Sequence, residues 1–475
     1  MQNKPTKESL RGYFTAHREE MLADLFALAR IPSVRESGVL SMPFGKNCYK
    51  ALAYAEALFA REGFSTKMDE EGRYALSFYG EENVGESVGI FAHTDVVPVG
   101  DGWLYTEPFS PILRDGCAIG RGVEDNKAGV ILALWALKYM KQNAIKPQRP
   151  ITVFLGAAEE SGMEDILSFK ENEGIPFVSL VPDGGYPVCY GEKGIARAFF
   201  TAKVPFNDIL EVRGGNAFNV VLDAITLALA YSEERESALR LHLASYADIE
   251  VKREGELLII KARGVSAHAS MPDGSRNAAY LLFSALSDCS LLSLSDRKTL
   301  ENAAHILEKN DGSVAGLNKE EKEFSPLTMA NGIVKTEGGR LTFSLDIRYG
   351  TAVGEKELEE KLADTAKKQG FALCVTENKE GFLCDKSGKA LSLILEACED
   401  FSGTRPEPFT MGGGTYARYL NNAYSVATFV PYVADPFRAP EGHGGAHQAD
   451  EHLPVAAFLE NAALVTDILL RLSSL

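Results

Sequence analysis

The stretch SVGIFAHTD, residues 87–95, is an apolar strand pattern that ends in three polar residues. It is followed by NKAGVILALWALKYMKQN (126–143), which has the apolar pattern of a helix, and by ITVFLGAA (151–158), a second apolar strand. This alternation predicts an α/β fold with a mostly parallel sheet that is covered by helices on both faces. Ligands of such sheets bind beyond the carboxyl ends of the strands, so the polar residues that end strands are the candidate site residues.

The sequence pattern changes at about Gly194. Longer strand patterns such as LLIIKARG (257–264) and LTFSLDIRY (341–349) are separated by helices there, which is typical of an α+β module. After about Cys384 the alternating α/β pattern returns. We therefore expect a discontinuous catalytic domain over residues 1–193 and 385–475, with an α+β domain over residues 194–384 inserted in it. A chain of 475 residues is long enough for two hydrophobic cores.

Composition argues against several classes of partner. The formal net charge of −17 opposes binding to nucleic acid or to anionic lipid. The longest apolar run, residues 129–137, is far shorter than the roughly 20 residues that span a bilayer. The N-terminal MQNKPTKESLRGYF lacks the apolar stretch of a secretory signal, and the seven cysteines are scattered without a CxxC pair. We expect a cytoplasmic protein that binds neither membranes nor nucleic acid.

Two motifs place a histidine and aspartates at the ends of elements. His93 and Asp95 end the first strand, and residues two apart on a strand project to the same face. A metal-bound histidine usually donates its other ring N–H to a carboxylate, so Asp95 is either that partner or a ligand itself. Asp125, in GRGVEDNKAG (120–129), stands directly before a helix. Taken singly, these residues also fit a strand-end histidine with a solvated aspartate and a helix-capping aspartate.

Two further strand ends carry carboxylates. In FLGAAEESG (154–162) an apolar strand pattern ends in Glu159 and Glu160. VSLVPDGGYP (178–187) contains Asp183. Adjacent carboxylates at the end of a buried strand repel each other and lose hydration, which a divalent cation compensates. Because neighbouring residues point in different directions, one glutamate can bind metal while the other faces the substrate as a proton carrier. Four successive strand ends of this kind favour a metal site over a purely structural sheet.

A further imidazole ligand is expected from the glycine-rich run EGHGGAHQADEHL (441–453), which contains His443, His447 and His452. Nitrogen and oxygen donors without thiolate suit zinc, with cobalt or manganese as alternatives. Two such ions about 3.5–4 Å apart can share a water molecule, lower its pKa and stabilise a tetrahedral intermediate. The sequence therefore predicts metal-assisted hydrolysis.

With these residues in place, the chain resembles the M20 metallopeptidases, and most closely the PepV-type dipeptidases of bacteria. The motifs that carry the resemblance extend over essentially the whole chain in the family's order. They are HTDVVP (93–98), GRGxxDxK (120–127), AxEESG (157–162), VPDxxYP (181–187), SAHAS (266–270), DIRY (346–349), GGGTYAR (412–418) and AHQ (446–448). The resemblance implies a dipeptidase that contains two zinc ions per chain.

The resemblance also implies a ligand set. One metal would be held by His93 and Asp183, and the other by Glu160 and His447, with Asp125 as the bridge between them. The AHQ motif favours His447 among the three histidines of the glycine-rich run, and the other two stay open as alternatives.

Two residues would act beside the ligands. Asp95 would orient His93, and Glu159 would be the general base that takes a proton from the bridging water and later delivers it to the leaving amine. The departures from the family pattern, which affect none of the implied ligands, are Glu124 and Asn126 on either side of the bridging aspartate and Gly350 after DIRY.

The inserted domain resembles the family's lid domain. His268 would stabilise the oxyanion, and Arg348 would bind the terminal carboxylate of the substrate, which matches the planar guanidinium in geometry. Apart from the resemblance, His268 is typical of a residue in a surface loop, and Arg348 is typical of an arginine that forms a salt bridge at a strand edge. Asn219 and the backbone at Gly413 and Gly414 would complete these contacts.

A lid that binds the terminal carboxylate suits very short substrates, so the expected partners are short peptides, mainly dipeptides. A monomer is expected, because a long lid can supply from one chain what shorter relatives take from a partner. Two alternatives remain: an amidohydrolase of the same fold that deacylates N-acyl amino acids, and a metal-free binding protein without catalysis. Glu159 argues against the latter, because a pure binder needs no proton carrier.

Overall fold

The computed structural model describes residues 5–475 and divides into two compact units. The first unit comprises the described residues up to Gly191 together with Cys384–Phe409 and Thr415–Leu475. The second unit comprises Glu192–Leu383 and Thr410–Gly414.

The helices and strands of the described chain are numbered in order. The helices are α1 Lys7–Ala16, α2 Arg18–Ala29, α3 Lys46–Arg61, α4 Lys127–Gln142, α5 Glu164–Asn172, α6 Glu233–His242, α7 Ala278–Leu286, α8 Leu294–Leu307, α9 Glu355–Lys368, α10 Lys389–Ser402 and α11 Val455–Leu472. The strands are β1 Ser65–Met68, β2 Tyr74–Tyr79, β3 Val88–His93, β4 Ile112–Arg114, β5 Cys117–Ile119, β6 Ile151–Gly156, β7 Val178–Val181, β8 Cys189–Glu192, β9 Gly194–Ala202, β10 Ile209–Gly214, β11 Ala224–Ala230, β12 Ile249–Glu254, β13 Leu257–Arg263, β14 Thr328–Ala330, β15 Val334–Glu337, β16 Arg340–Tyr349, β17 Phe371–Lys379, β18 Phe382–Leu383, β19 Phe409–Met411, β20 Ala423–Ser425 and β21 His452–Pro454.

The main sheet of the first unit is mixed, where the sequence pattern predicted a mostly parallel one. Its strand order is β1-β2-β6-β3-β7-β20-β8. The central pairings β6–β3, β3–β7 and β7–β20 are parallel, while the outer pairings β1–β2, β2–β6 and β20–β8 are antiparallel. The reason lies in the connections. A helical crossover through α4 joins β3 to β6 and makes them parallel, whereas the short turn from β1 to β2 allows only antiparallel pairing.

The core of the first unit is built around α4. Every residue of this helix from Lys127 to Met140 is buried, because α4 packs against β3, α2 and α11. A helix that is apolar on all sides is stable only when other elements cover it completely. This burial holds the N-terminus of α4, and with it Asp125 two residues before the helix, against the end of β3.

The second unit is an α+β arrangement around an antiparallel sheet. Its strand order is β12-β13-β11-β10-β15-β16-β9-β17, with β14 paired to β16. Helix α7 packs on β11 and β13, and α8 packs on α7. Along β9 buried and half-buried residues alternate, which is the period-2 pattern of a strand with one face toward the core.

The segment Thr410–Gly414 groups with the second unit, although the boundaries expected from sequence placed it in the first. The hydrogen bonds of the segment explain this grouping. Thr410 Oγ1 donates to the backbone oxygen of Glu323 at 2.5 Å, and the backbone oxygen of Gly412 accepts from Arg348 Nη1 at 3.0 Å. Such contacts between residues distant in sequence leave no pattern in the segment itself.

Within the described residues, none of the helices has the length and apolar character that a membrane span requires. None of the seven cysteines, which all lie within the described residues, forms a disulfide bond.

Candidate metal centre

Polar residues from several strand ends meet at one edge of the first unit's sheet. β3 pairs in parallel with both β6 and β7, so the carboxyl ends of these strands lie side by side. His93 is the last residue of β3, Glu159 and Glu160 begin a turn of 3-10 helix after β6, and Asp183 follows β7. Asp125 precedes α4, which packs on β3. Parallel pairing thus brings together side chains that lie far apart in the sequence.

His93 is fully buried, and its ring is oriented by Asp95, two residues further along the chain. Nδ1 lies 3.0 Å from the backbone oxygen of Asp95, so we assign the ring proton to this nitrogen. Nε2 lies 3.1 Å from Asp125 Oδ1 and 3.6 Å from Asp183 Oδ2. It is buried and makes no hydrogen bond of good geometry with any described residue. An unprotonated imidazole nitrogen that faces two carboxylates in this way fits a metal ligand.

Asp125 lies between two histidines. Its Oδ1 faces His93, and its Oδ2 lies 3.0 Å from Nε2 of His447. The same nitrogen of His447 lies 3.1 Å from Glu160 Oε1. One carboxylate therefore has a separate histidine at each oxygen, which is the arrangement that a bridging ligand of two metal ions requires.

The carboxylate of Asp95 holds the turn that presents the two glutamates. Its Oδ1 accepts the backbone N–H of Glu159 at 3.2 Å, and its Oδ2 accepts that of Glu160 at 3.1 Å. The sequence suggested that this carboxylate orients His93. In the structure, Oδ1 lies 3.4 Å from Nδ1, while the backbone oxygen of Asp95 is closer.

Asn126 ties the end of β3 to the segment after β7. Its Oδ1 accepts the backbone N–H of His93 at 3.3 Å, and its Nδ2 donates to Pro182 O and to Asp183 Oδ1, the latter at 3.1 Å. The bond to Oδ1 leaves Oδ2 of Asp183 directed toward His93. In the sequence, Asn126 stands out only as a departure from the family pattern, and no role was expected for it.

Glu451 is a supporting residue that the sequence did not reveal. Its side chain is fully buried, with Oε2 accepting from Arg121 Nη1 at 2.7 Å and from the backbone N–H of Gly122 at 2.9 Å. Its Oε1 accepts the backbone N–H groups of Glu124 at 2.9 Å and Asp125 at 3.1 Å. One carboxylate thus holds the backbone of the loop that carries Asp125. The only sequence signal is its position four residues after His447, which reveals neither its burial nor its partners.

Burial and mutual repulsion change the pKa values of the carboxyl groups. Burial, followed by the charge of Asp183, raises the pKa of Glu159 well above its ordinary value. Burial and the charge of Asp125 raise the pKa of Glu160 to about 7 and also raise that of Asp183. Burial acts in the same direction on Asp125, but contacts with the two histidines lower its pKa below the ordinary value.

The pKa values of the two histidines are raised, although burial alone would lower them. Hydrogen bonds with Asp125 and Glu160 raise the pKa of His447 to about 11. Burial lowers the pKa of His93, but its contacts with the neighbouring aspartates raise it well above the ordinary value. The cluster carries more negative charge than its two histidines balance, so bound divalent cations would take the place of these protons.

The other two histidines of the glycine-rich run face different partners. His443 Nδ1 lies 2.7 Å from Asp450 Oδ2, and His452 Nε2 lies 2.9 Å from Asp435 Oδ2. Of the three, His447 is the one that the structure brings to Asp125. Its backbone φ of 65° is rare for a residue with a Cβ, and the neighbouring glycines permit such a loop.

The remaining candidate residues lie in the second unit. Arg348 is buried in β16 and binds Asp346 through Nε at 2.5 Å and Nη2 at 3.1 Å. His268 is exposed, and its Nδ1 lies 2.7 Å from Ser270 Oγ. The backbone oxygen of Asn219 accepts from Ala269 N at 2.9 Å.

Gly413 and Gly414 also belong to the second unit, where they directly follow Gly412, the partner of Arg348 Nη1.

A protein-family model described as Peptidase family M20/M25/M40 matches residues 89–471, which is most of the chain. A curated protein of Staphylococcus haemolyticus named "Putative dipeptidase" is 27% identical over 436 residues, covering 87% of this chain and 90% of that protein. The Bacillus subtilis protein named "Putative dipeptidase YtjP" is 25% identical over 479 residues, covering 96% of this chain and 98% of that protein.

Solved structures share the fold at low sequence identity. Human carnosine dipeptidase 1 superposes with a TM-score of 0.61 at 14% identity, covering 99% of this chain and 100% of that chain. The dipeptidase Dug1p of Saccharomyces cerevisiae also has a TM-score of 0.61 at 14% identity, with 99% of each chain covered. These similarities place the mixed α/β sheets described above in a known fold.

Proposed function

This chain belongs to peptidase family M20/M25/M40, and from that premise we propose that it is a dipeptidase that works with two bound metal ions. The observation that carries the proposal is Asp125, whose two oxygens face His93 and His447 separately. The names of the curated relatives support dipeptides as substrates, because the similarity covers about nine tenths of both chains.

The residues present fit two zinc ions, with manganese or cobalt as substitutes. His93 and Asp183 would hold one ion, Glu160 and His447 the other, and Asp125 would contact both. His93 offers a buried nitrogen without a hydrogen bond, and burial together with the charge of Asp125 raises the pKa values of Glu160 and Asp183, an effect that bound cations would offset. The donor set consists of imidazole and carboxylate, which zinc accepts readily.

When bound, the two ions lower the pKa of a water molecule and polarise the peptide carbonyl. We propose that Glu159 moves the proton of that reaction. It is 8% exposed, and one of its carboxylate oxygens lies within 4.8 Å of ligand atoms of His93 and Asp183. As general base, the carboxylate accepts the proton of the attacking water and then gives it to the nitrogen of the leaving amine. Asp95 keeps Glu159 in position through the backbone N–H.

Four features of the second unit are proposed to contact the substrate. Arg348 would bind a free terminal carboxylate, and His268 would donate to the oxygen that becomes negatively charged. Asn219 and the backbone at Gly413 and Gly414 would complete these contacts. The ion pair with Asp346 fixes the guanidinium of Arg348. Less conformational entropy is therefore lost when this guanidinium binds the carboxylate of the substrate.

The test is a substrate panel at a fixed zinc concentration, comprising dipeptides, the same dipeptides with an amidated C-terminus, tripeptides and N-acyl amino acids. We expect hydrolysis of the free dipeptides and a large drop in kcat/KM for the amidated ones. Faster hydrolysis of N-acyl amino acids would show that the chain is an amidohydrolase of this fold. Absence of hydrolysis across the panel by the zinc-loaded protein would favour a binding protein.

A further inference from the structure

A second group of potential metal ligands lies in the first unit, formed by Cys117, Asp435 and His452. Cys117 begins β5 and His452 begins β21, and these two strands pair antiparallel. The thiol of Cys117 donates to Asp435 Oδ1 at 3.4 Å, and His452 Nε2 donates to Asp435 Oδ2 at 2.9 Å. None of the three residues belongs to the set around Asp125.

The spacing of the three side chains suits one metal ion. A sulfur, a nitrogen and an oxygen atom of the group all lie within 4.8 Å of one another. Bond lengths of about 2.3 Å to sulfur and about 2.0 Å to nitrogen or oxygen place tetrahedral ligands roughly 3.3–3.8 Å apart. Small side-chain rotations therefore bring all three atoms to ligand distances.

Part of the group is buried and closely packed, and part of it is exposed to solvent. The thiol of Cys117 is fully buried, and the ring of Phe437 packs against the imidazole of His452 with 5.0 Å between centroids. A Cβ at position 444 would approach the imidazole to 2.9 Å, so Gly444 leaves room for the ring. The side chain of Asp435 is 36% exposed, which gives an ion access from solvent.

We propose that Cys117, Asp435 and His452 form a third, mononuclear site for zinc or a similar borderline-soft divalent ion. The donors would be one thiolate, one carboxylate oxygen and Nε2 of a neutral imidazole, with water as the fourth ligand. On binding, the thiol proton leaves to solvent and the imidazole proton moves from Nε2 to Nδ1. The proposal does not depend on the function proposed above, since it uses other residues and another donor type.

The location suggests what such an ion does. β5 runs directly into the loop that carries Asp125, and β21 begins at the end of the glycine-rich run that carries His447. An ion held by both strands and by Asp435 would fasten these two segments together. It would therefore stabilise the fold around the dinuclear centre without touching the substrate.

Cobalt distinguishes the two kinds of site by spectroscopy. A Co²⁺ ion bound to a thiolate shows intense sulfur-to-metal charge-transfer absorption, which a site of imidazole and carboxylate lacks. We would strip the full-length protein of metal with a chelator, remove all added thiols and titrate it with Co²⁺ alone. We expect the charge-transfer band in the wild type and its loss in Cys117→Ser.

A matched control and a second variant keep the outcome clear. Cys374→Ser removes an exposed thiol of the second unit and should leave the band unchanged. Asp435→Asn changes a partly exposed ligand with little risk to folding and should weaken the cobalt affinity that the band reports by at least about tenfold. A wild type without the band, or a band that survives in Cys117→Ser, would overturn the proposal. A wild-type protein that shows the band but does not hydrolyse dipeptides would count against the proposed function alone.

Discussion

The substitution Glu451→Gln tests how the loop that carries Asp125 is held in place. The carboxylate of Glu451 receives four donors, two at each oxygen. Glutamine keeps one oxygen and replaces the other with an NH₂ group, which accepts no hydrogen bond. At least two donors therefore lose their acceptor, and the guanidinium of Arg121 stays buried, at 1% exposure, without a counter-charge.

The expected effect is large because the pair is buried. Removing one partner of a buried ion pair typically costs about 3–5 kcal/mol of stability. We expect a loss of that size in the free energy of unfolding of the first unit, measured from urea denaturation by circular dichroism. Because the N–H of Asp125 is among the donors, zinc affinity should also fall by about 10–100-fold, as for other residues that support metal ligands.

The control is Glu86→Gln, the same chemical change in an exposed pair. Glu86 binds Arg149 at 2.9 Å, but its side chain is 68% exposed, so the loss should be about 0–1 kcal/mol. If Glu451→Gln unfolds at the same urea concentration as Glu86→Gln and keeps its zinc affinity, then Glu451 does not hold the loop as described.

Three further predictions concern the metal centre and the pH dependence of stability. Glu159→Gln should lower kcat by about 10²–10⁴-fold while elemental analysis still finds two ions, and an unchanged kcat would remove Glu159 from proton transfer. Asp125→Ala should lose both ions, so two zinc ions per chain after dialysis would contradict its role as a bridge. Burial raises the pKa of Asp69, but Arg73 and backbone N–H groups lower it below the ordinary value, so this carboxylate stabilises the fold at neutral pH. That contribution is lost as pH falls through the lowered pKa, so Asp69→Asn should be less stable than wild type at pH 7 by about 1.5–3 kcal/mol, with a difference that shrinks below about pH 4. A difference that stays constant down to pH 3 would refute this last prediction.

The strand ends were the part of the site that the sequence could reveal. His93 ends an apolar strand, Asp183 and the glutamate pair each follow one, and parallel pairing of β3 with β6 and β7 brings these strand ends together. The choice of His447 depended on the motif AHQ, since neither periodicity nor composition distinguishes it from His443.

The supporting residues could not be predicted, and the reason is physical. Glu451 reads as an ordinary acidic residue of a polar loop, and only the folded chain shows that it accepts from four donors. The antiparallel edges of the first sheet depend on which strands become neighbours, which local patterns do not encode. The Cys117 group likewise joins Cys117 to residues more than three hundred positions away, and cysteines scattered without a CxxC pair gave no sign of it.

The proposed function depends on two metal ions that share Asp125. Its most direct test is an anomalous-scattering map, collected at the zinc absorption edge from crystals of the zinc-loaded protein. We expect two peaks on either side of the Asp125 carboxylate, one next to His93 and Asp183 and the other next to Glu160 and His447. A single peak there, or two peaks that do not both contact Asp125, would contradict it.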